Sequence, residues 1–280
     1  MRNEYRMGNI IEIKNLSYRY PNSFKPVLEN INLEISRGEF FLIAGRTGSG
    51  KSSLCKVIAG LIPNFYKGEF KGEVKVFGES ILNQKIAGRI GMVFQNPEDQ
   101  ILTMQVESEI AFGPENLGLA RDEIAQRVEE AISQLQIEHL RDRSPYEISS
   151  GELQKVAIAS ILAMKPEVLI LDEPTSDLDP KSAMNLFKIL KTLHIQGKTI
   201  ILAEHRLDLA LAIVDRVAVL EQGEIIALGS PREVIQNFEL EKIGIRIPRI
   251  CKLARRLGME KIPLNVEEFL EEWQRLCRSN

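Results

Sequence analysis

Short apolar runs along the chain have the length and composition of β-strands. The first two are rich in β-branched and aromatic residues, and the turn-prone segment PNSFKP separates them. The run EFFLIAG is continuously apolar and ends in glycine, which is typical of a buried parallel strand. The predicted strands are IIEIKNLSYRY, VLENINLEIS, EFFLIAG, GEVKVFG, RIGMVFQ, EVLILDE, KTIILAEH, DRVAVLEQGE and IIALG.

Segments in which apolar residues recur at helical spacing lie between these strands. In RDEIAQRVEEAISQLQI the apolar residues fall on one helical face. That face consists of Ile124, Val128, Ala131, Ile132 and Leu135. The segment PKSAMNLFKILKTLH opens with a proline, which suits the first turn of a helix. Alternating strands and helices predict an α/β fold with a mainly parallel sheet, into which a mostly helical block is inserted.

After residue 229 the pattern indicates three short helices. Ser230 is placed to cap the first of them, and Pro231 occupies its first position. The last helix, NVEEFLEEWQRLCRSN, carries an apolar stripe. Its members are Val266, Phe269, Leu270, Trp273, Leu276 and Cys277. This stripe either packs on the chain's own core or forms an interface with another chain.

Composition indicates a globular chain with no general attraction to nucleic acid. The length of 280 residues favours two domains, or one domain with an insertion. Hydrophobic residues make up 44% of the chain, and the net charge is −3. The cysteines, Cys55, Cys251 and Cys277, are too far apart for a metal motif or a disulfide framework, which fits a reducing compartment.

The hydrophobic runs are too short for membrane insertion. The N-terminal stretch MRNEYRMGNIIEIKN lacks the apolar core of a signal peptide. The longest apolar runs are strand-sized, well below the roughly 18 residues that span a bilayer. If this protein acts at a membrane, we therefore expect another chain to hold it there.

The segment GRTGSGKS follows an apolar strand and leads into a helix. It matches the phosphate-binding pattern G-x-x-x-x-G-K-[ST] in full. Glycines let successive backbone N–H groups curl around phosphates, and the helix N-terminus adds a favourable partial charge. Lys51 is placed to reach the β- and γ-phosphates of ATP, and Ser52 offers a hydroxyl to Mg²⁺. The predicted nucleotide-binding residues here are Gly45, Arg46, Thr47, Gly48, Ser49, Gly50, Lys51, Ser52 and Ser53.

Two acidic residues, Asp172 and Glu173, end the apolar run VLILDE. Ligands of open α/β sheets bind at the carboxyl ends of the strands, so both acids are expected at the ligand edge. Asp172 suits Mg²⁺, directly or through water. Glu173 lies one residue further on, where it would orient or activate the attacking water. The sequence therefore predicts an ATPase that uses ATP and Mg²⁺.

These motifs, in this order, resemble the ATP-binding subunit of an ABC transporter over roughly residues 8–235. The resemblance implies a P-loop NTPase (RecA-like) core of α/β class with an antiparallel β subdomain. It makes the helical block, approximately residues 97–162, a subdomain inserted in the ATPase domain. Residues 236–280 would then be a C-terminal helical extension that serves dimerisation or docking.

The same resemblance implies roles for further residues. Tyr20 in LSYRYP lies where the family stacks an aromatic ring on adenine, with Tyr18 as the alternative. Gln95 resembles the glutamine that links the Mg²⁺ and water region to the helical subdomain. Asp179 in SDLDP occupies the acidic position of the D-loop, and His205 resembles the switch histidine that contacts the γ-phosphate.

These assignments define two small sets. The expected catalytic residues are Glu173, His205 and Gln95. The expected metal-binding residues are Ser52, Gln95 and Asp172. His139 and His194 match no motif and are interpreted as ordinary surface or capping residues.

The stretch EISSGELQKVAIAS places a second group of small residues at the start of a helix. Ser149 and Glu152 fit the S-x-x-E capping box. The stretch also resembles the ABC signature, usually Leu-Ser-Gly-Gly-Gln, which in the family faces the γ-phosphate held by a partner subunit. Ser149 and Gly151 keep the positions expected to touch phosphate. Ser150 replaces a glycine and Glu152 a glutamine, which raises the question of unequal sites in a heterodimer.

The segment QNPEDQILTMQVESEIAFGPENLGL and the tail after Pro248 resemble energy-coupling factor transporters. The resemblance implies uptake of a vitamin or a transition-metal ion and a position at the cytoplasmic face of the cell membrane. The implied partners are a second ATPase subunit, identical or different, a transmembrane coupling protein and a substrate-binding membrane protein.

Within this segment, residues 96–119 should line a groove that receives a helix of the coupling protein. The alternative is that the apolar residues of the segment only pack the helical subdomain. Those residues are Ile101, Leu102, Ile110 and Phe112.

Two other functions stay open. One is a soluble ABC ATPase in DNA repair or translation, although such proteins usually carry long coiled coils, zinc modules or a second cassette. The other is a largely non-catalytic cassette that completes a partner's site. The second is disfavoured because the residues expected to carry the chemistry are all present.

Overall fold

The computed structural model describes residues 8–83, 86, 88–259 and 261–279, without the side chains of 278 and 279. The strands are β1 Asn9–Arg19, β2 Leu28–Ser36, β3 Phe40–Gly45, β4 Glu69–Val76, β5 Glu79–Ser80, β6 Ile90–Val93, β7 Val168–Asp172, β8 Thr199–Glu204, β9 Arg216–Glu221 and β10 Glu224–Gly229. The α-helices are α1 Lys51–Ile58, α2 Val106–Asn116, α3 Arg121–Leu135, α4 Ser150–Ala163, α5 Pro180–Ile195, α6 Leu207–Ala210, α7 Pro231–Asn237, α8 Arg249–Arg256 and α9 Val266–Ser279. Each predicted strand is present; the two-residue β5 was not predicted.

A six-stranded sheet forms the centre of the molecule, in the order β10-β9-β3-β8-β7-β6. The neighbouring strands from β9 to β6 are parallel, and β10 is antiparallel to β9. The register sets Ala44 of β3 opposite Glu204 of β8, and Asp172 of β7 opposite Ala203. The carboxyl ends of these three strands therefore lie side by side. This arrangement confirms the predicted α/β fold.

A four-stranded antiparallel sheet, ordered β2-β1-β4-β5, packs over one side of this centre. In its register Ile11 lies opposite both Ile35 and Val76. These residues belong to the same apolar cluster as Leu54 of α1 and Ile43 of β3. The small sheet is thus held against α1 and the central sheet by buried apolar side chains, and it is the expected antiparallel β subdomain.

The opposite face of the central sheet belongs to a second apolar cluster, which includes residues of α2, α3, α4 and α5. Alternation along β3 divides its side chains: Leu42 joins this cluster, whereas Ile43 joins the first. The predicted apolar face of α3 is confirmed, because four of its residues are buried and Ile124 packs beside them. None of the helices in the described ranges is long and apolar enough to cross a membrane.

The first C-terminal helix begins as predicted, and the apolar stripe of the last helix, α9, is only partly buried. Ser230 accepts a hydrogen bond from the backbone N–H of Glu233, and Pro231 opens α7. On α9, Phe269 and Leu276 pack on the core. The remaining members of the stripe are exposed: Val266, Leu270, Trp273 and Cys277. Packing on the chain's own core therefore accounts for only part of the stripe.

The central sheet should be sensitive to loss of volume at Ile201, which is fully buried in β8. We expect Ile201→Ala to lower the free energy of unfolding by about 2–5 kcal/mol, because it removes buried apolar surface and leaves a cavity. Ile195→Ala is the control, since the Ile195 side chain is 63% exposed and its loss should change stability by less than about 0.5 kcal/mol. Equal urea midpoints for the two variants would contradict this packing.

Candidate functional site

The loop between β3 and α1 has a backbone that depends on glycine. Gly48 and Gly50 have φ angles of +81° and +108°, in the region that disfavours other residues. A Cβ on Gly50 would also lie 2.7 Å from the carbonyl oxygen of Val27, so a side chain there would clash with backbone. The loop then enters α1 at Lys51. Its backbone N–H groups thus lie at the N-terminus of a helix, which favours anions.

Lys51 is buried under this loop, with only 3% of its side chain exposed. Its Nζ donates to the carbonyl oxygens of Gly45, at 3.0 Å, and Arg46, at 3.1 Å. It also forms an ion pair with Oε1 of Glu173 at 2.8 Å. These contacts hold the ammonium group inside the loop, where a bound anion would find a fixed positive charge.

Ser52 and Asp172 come together from α1 and the end of β7. The Ser52 hydroxyl donates to Oδ1 of Asp172 at 3.0 Å. Burial raises the pKa of Asp172 above its ordinary value, against the opposing effect of the hydrogen bond from Ser52. The protein thus holds a carboxyl group in surroundings that disfavour its negative charge.

This pair fits a magnesium ion that arrives with a nucleotide. Hydroxyl and carboxylate oxygens are the hard ligands that Mg²⁺ prefers, and Mg²⁺ commonly completes its shell with phosphates and water. Across the described residues, no group of three or more His, Cys, Asp or Glu side chains is placed to hold a metal by itself. Ser52 and Asp172 therefore suit a Mg²⁺ site whose remaining ligands come from phosphates and water, and not a site closed by protein ligands alone.

Glu173 links Lys51 to His205. Its carboxylate pairs with Lys51 through one oxygen, and its other oxygen lies 3.3 Å from Nδ1 of His205. Glu173 has a φ of 47°, an uncommon conformation for a residue with a side chain, and its N–H donates to the Ala203 carbonyl at 2.9 Å. In this turn the carboxylate stays in contact with Lys51 and His205, and 6% of the residue is exposed.

Glu204 is a residue of this site that the sequence did not reveal. It ends β8, is fully buried, and stands opposite Ala44, the residue before the glycine loop. Its carboxylate accepts hydrogen bonds from the Thr175 hydroxyl and from the N–H groups of His205 and Arg206. The available signal was an acid at the end of an apolar strand, the same signal that identified Asp172.

The two candidate tyrosines differ in burial. Tyr18 is fully buried, and its hydroxyl donates to the carbonyls of Tyr66 and Lys67. Tyr20 is partly exposed and its hydroxyl lies 3.2 Å from Oγ of Ser53, beside the glycine loop. Of this pair, only Tyr20 is partly exposed beside the glycine loop, as the role expected of it requires.

Gln95 follows β6 and is exposed. Because β6 pairs in parallel with β7 up to Val93 and Leu171, the segment with Gln95 leaves the sheet at the same edge as Asp172. Asp179 has a local role in this chain: its carboxylate caps α5 by accepting from the N–H groups of Lys181 and Ser182. Gln95 therefore follows the strand next to β7, and Asp179 lies at the start of the next helix.

The predicted capping box is present at the start of α4. Ser149 and Glu152 exchange hydrogen bonds between side chains and backbone. The hydroxyl and N–H of Ser149 hold the pKa of Glu152 below its ordinary value. Ser150 donates to the carbonyl of Asp177 at 3.3 Å. Among the hydrogen bonds and ion pairs of the described residues, none joins Ser149–Gly151 to the glycine loop.

The two unassigned histidines lie outside this arrangement. His139 is exposed and its Nε2 lies 3.4 Å from Oε1 of Glu152. His194 is less accessible than expected for a surface residue, because its ring packs edge-on against Phe40 and lies 3.4 Å from Asp215.

Comparison with known proteins assigns the family. Residues 28–176, just over half of the chain, match the ABC transporter family. A Pyrococcus abyssi protein, provisionally named an ABC transporter ATP-binding protein, is 42% identical over 94% of this chain and 98% of its own length. The energy-coupling factor transporter ATP-binding protein EcfA of Methanothermobacter thermautotrophicus is 39% identical over 94% of this chain and 85% of its own length. Some relatives are longer: the chain spans 43% of one from Methanosarcina mazei.

Solved structures show the same fold. CbiO1 of Clostridium perfringens, described as part of the ABC transporter complex cbiONQ, aligns with a TM-score of 0.74 and 35% identity over 89% of this chain and 100% of that one. The cassette MJ0796, solved as a dimer bound to ADP and Pi, aligns with a TM-score of 0.71 and 28% identity over 79% of this chain and 99% of that one. The chain belongs to the ABC transporter family, as an ATP-binding cassette of the ATPase class.

Proposed function

We propose that this chain binds and hydrolyses ATP at the edge where β3, β7 and β8 end, and that it thereby drives a transporter. The contacts from Lys51 through Glu173 to His205 carry the proposal. They bring a buried cation, a buried carboxylate and an imidazole together beside a phosphate-binding loop. Such a constellation suits hydrolysis of a phosphoanhydride, in which phosphate charge is neutralised and water is activated.

Within this site, residues 45–53 would hold the phosphates and Tyr20 would stack on adenine. Ser52 and Asp172, with Gln95 at the adjacent strand end, would hold Mg²⁺. When bound, Mg²⁺ supplies positive charge that offsets the charge of the phosphates. Lys51 would exchange its pairing with Glu173 for the β- and γ-phosphates.

Release from Lys51 would leave the Glu173 carboxylate available to accept a proton from the attacking water. General bases act within hydrogen-bond reach of that proton, and the Glu173 carboxylate lies in contact with Lys51 and His205. His205, whose Nδ1 is 3.3 Å from Oε2 of Glu173, would contact the γ-phosphate and hold the Glu173 carboxylate beside it.

A second subunit would complete each site. In one chain the start of α4 contacts the loop before α5 through the hydrogen bond from Ser150 to the Asp177 carbonyl, and no hydrogen bond or ion pair of the described residues joins it to that chain's own glycine loop. We propose that Ser149 and Gly151 contact the ATP held by a partner, with Asp179 on the same interface. The dimer of MJ0796 bound to ADP and Pi supports pairing between cassettes. Glu152 keeps its capping role in this arrangement.

The transporter is proposed to be of the energy-coupling factor type, on the evidence of EcfA and CbiO1 among the similar proteins. The groove segment, residues 96–119, divides in the structure. Ile101 and Ile110 are buried, as the packing alternative requires, whereas Leu102 and Phe112 are 66% and 40% exposed. The exposed pair would receive a helix of a transmembrane coupling protein.

In this proposal the cassette lies at the cytoplasmic face of the membrane, and a separate membrane protein binds the vitamin or metal ion. ATP binding closes the dimer and hydrolysis reopens it, because the γ-phosphate bridges the two subunits only before cleavage. The closure would move the helices α2, α3 and α4 and the membrane helices docked on them.

Glu173→Gln should separate binding from hydrolysis. The amide keeps the size of the side chain but cannot accept the proton, so we expect kcat to fall about 10²–10⁴-fold while ATP still binds. A nucleotide-bound dimer should accumulate in size-exclusion chromatography with light scattering. Lys51→Ala is the contrasting variant: it should weaken ATP binding by about tenfold or more, because it removes a charged phosphate contact. Near-normal turnover in Glu173→Gln would overturn the role of Glu173.

Asp172→Asn should increase the stability of the fold and lower the ATPase activity. An aspartate with a raised folded pKa binds its proton more tightly in the folded state, so its ionised form destabilises the fold at neutral pH. We expect the amide to raise the free energy of unfolding at pH 7.5 by about 1 kcal/mol, while hydrolysis with Mg²⁺ falls. The gain should shrink as the pH drops into the range where Asp172 is protonated.

The control for this change is Glu115→Gln, at an exposed position of α2. It should alter stability by less than about 0.5 kcal/mol at either pH. A loss of stability in Asp172→Asn at pH 7.5 would contradict the electrostatic cost assigned to this carboxylate.

A further inference from the structure

Glu204 makes contacts that reach beyond the strand it ends. One carboxylate oxygen accepts from the Thr175 hydroxyl, and the other accepts from the backbone N–H groups of His205, at 3.0 Å, and Arg206, at 3.3 Å. Glu204 and Thr175 are both 0% exposed. A buried carboxylate is unfavourable unless donors satisfy it, and here three donors do so.

These donors belong to two separate segments of the proposed ATP site. Thr175 lies in the loop that leads from Glu173 to Asp179, and this loop also contacts the start of α4 through the Asp177 carbonyl. His205 lies on the far side of the carboxylate, with its Nδ1 3.8 Å from Glu204 and 3.3 Å from Glu173. Glu204 thus connects the loop that would face a second subunit to the imidazole beside the catalytic carboxylate.

Backbone hydrogen bonds between β7 and β8 do not reach the segments that Glu204 connects. The ladder between β7 and β8 ends with Asp172 opposite Ala203, followed by the hydrogen bond from the Glu173 N–H to the Ala203 carbonyl. Thr175, His205 and Arg206 all lie past that point. The sheet therefore fixes where the two strands end, and the Glu204 carboxylate fixes how the segments beyond them are placed.

We infer that Glu204 is a positioning residue for ATP hydrolysis, and this inference rests on the proposed function. Glu204 holds His205 and the loop at Thr175 in one fixed arrangement, so that a subunit arriving at that loop meets a correctly placed imidazole. The group acts as a hydrogen-bond acceptor and does not touch ATP. Its loss should lower kcat and leave the KM for ATP unchanged, since the glycine loop and Lys51 are not altered.

The test compares paired variants of the full-length chain, with any second ATPase subunit that co-purifies. Thr175→Val removes the hydroxyl at constant shape, and Glu204→Leu removes the acceptor. We expect kcat to fall about tenfold in the first and up to about 100-fold in the second, the size of effect that follows from misplacing a reacting group. KM for ATP should stay within about twofold of wild type, because contacts common to the ground and transition states are untouched.

Conservative variants separate positioning from a purely structural role. Thr175→Ser keeps the hydroxyl and should recover most of the kcat lost in Thr175→Val. Glu204→Gln keeps an acceptor oxygen for the two N–H groups and should retain more kcat than Glu204→Leu. The double variant of Thr175→Val and Glu204→Leu should be no slower than Glu204→Leu, because both changes break one connection.

Thr192→Val is the control for the same chemical change at an exposed position, where the hydroxyl donates to the Lys188 carbonyl within α5 at 3.0 Å. It should leave kcat unchanged. Wild-type kcat in Thr175→Val and in the folded fraction of Glu204→Leu, with Glu173→Gln inactive, would overturn this inference and leave the proposed function standing. A wild-type chain that fails to hydrolyse ATP, with or without its co-purified subunit, would overturn both.

Discussion

The parallel pairing of β3, β8 and β7 is the constraint on which the rest of the site depends. It ends three chain segments at one edge of the central sheet, with Ala44 opposite Glu204 and Asp172 opposite Ala203. The glycine loop, the acids Asp172 and Glu173, and His205 all lie at or directly after those ends. Without this register, residues far apart in sequence would not meet, and no local motif could compensate.

Each buried charged group at this edge has an ion-pair or hydrogen-bond partner. Lys51 pairs with Glu173, Ser52 donates to Asp172, and three donors surround Glu204. Buried charges are costly to leave unpaired, so each partner limits where the other can lie. In the proposed function, a triphosphate would compete with Glu173 for Lys51.

The glycine loop and the acids that end β7 could be predicted from the sequence because the residues of each motif are contiguous. The loop from Gly45 to Ser52 carries its own backbone requirement, and acids at the end of an apolar strand follow a general rule for α/β sheets. The preference for Tyr20 over Tyr18 came from the family resemblance, because the apolar pattern alone does not separate two tyrosines two positions apart. The structure separates them by burial: Tyr18 lies within β1 with its hydroxyl bonded to the Tyr66 and Lys67 carbonyls, whereas Tyr20 follows the strand and is partly exposed.

Tertiary contacts also explain the other limits of prediction. Glu204 resembles any polar strand end until Thr175 is brought to it from the loop that follows the neighbouring strand β7. Likewise, hydrophobicity alone could not predict which apolar residues of segment 96–119 are buried, since Ile101 is buried and its neighbour Leu102 is exposed. The stripe on α9 divides in the same way, because only part of that helix meets the core.

A cassette that powers a transporter must be held by membrane partners, so we would first isolate this chain from its host's membranes in mild detergent and identify what accompanies it. The pair of variants is Leu102→Lys, at an exposed position of segment 96–119, and Ile195→Lys as the control, at an exposed position of α5. The account predicts a polytopic membrane protein with wild type and Ile195→Lys, lost in Leu102→Lys. Recovery of wild type only from the soluble fraction, with ribosomes or DNA-repair proteins, would contradict it.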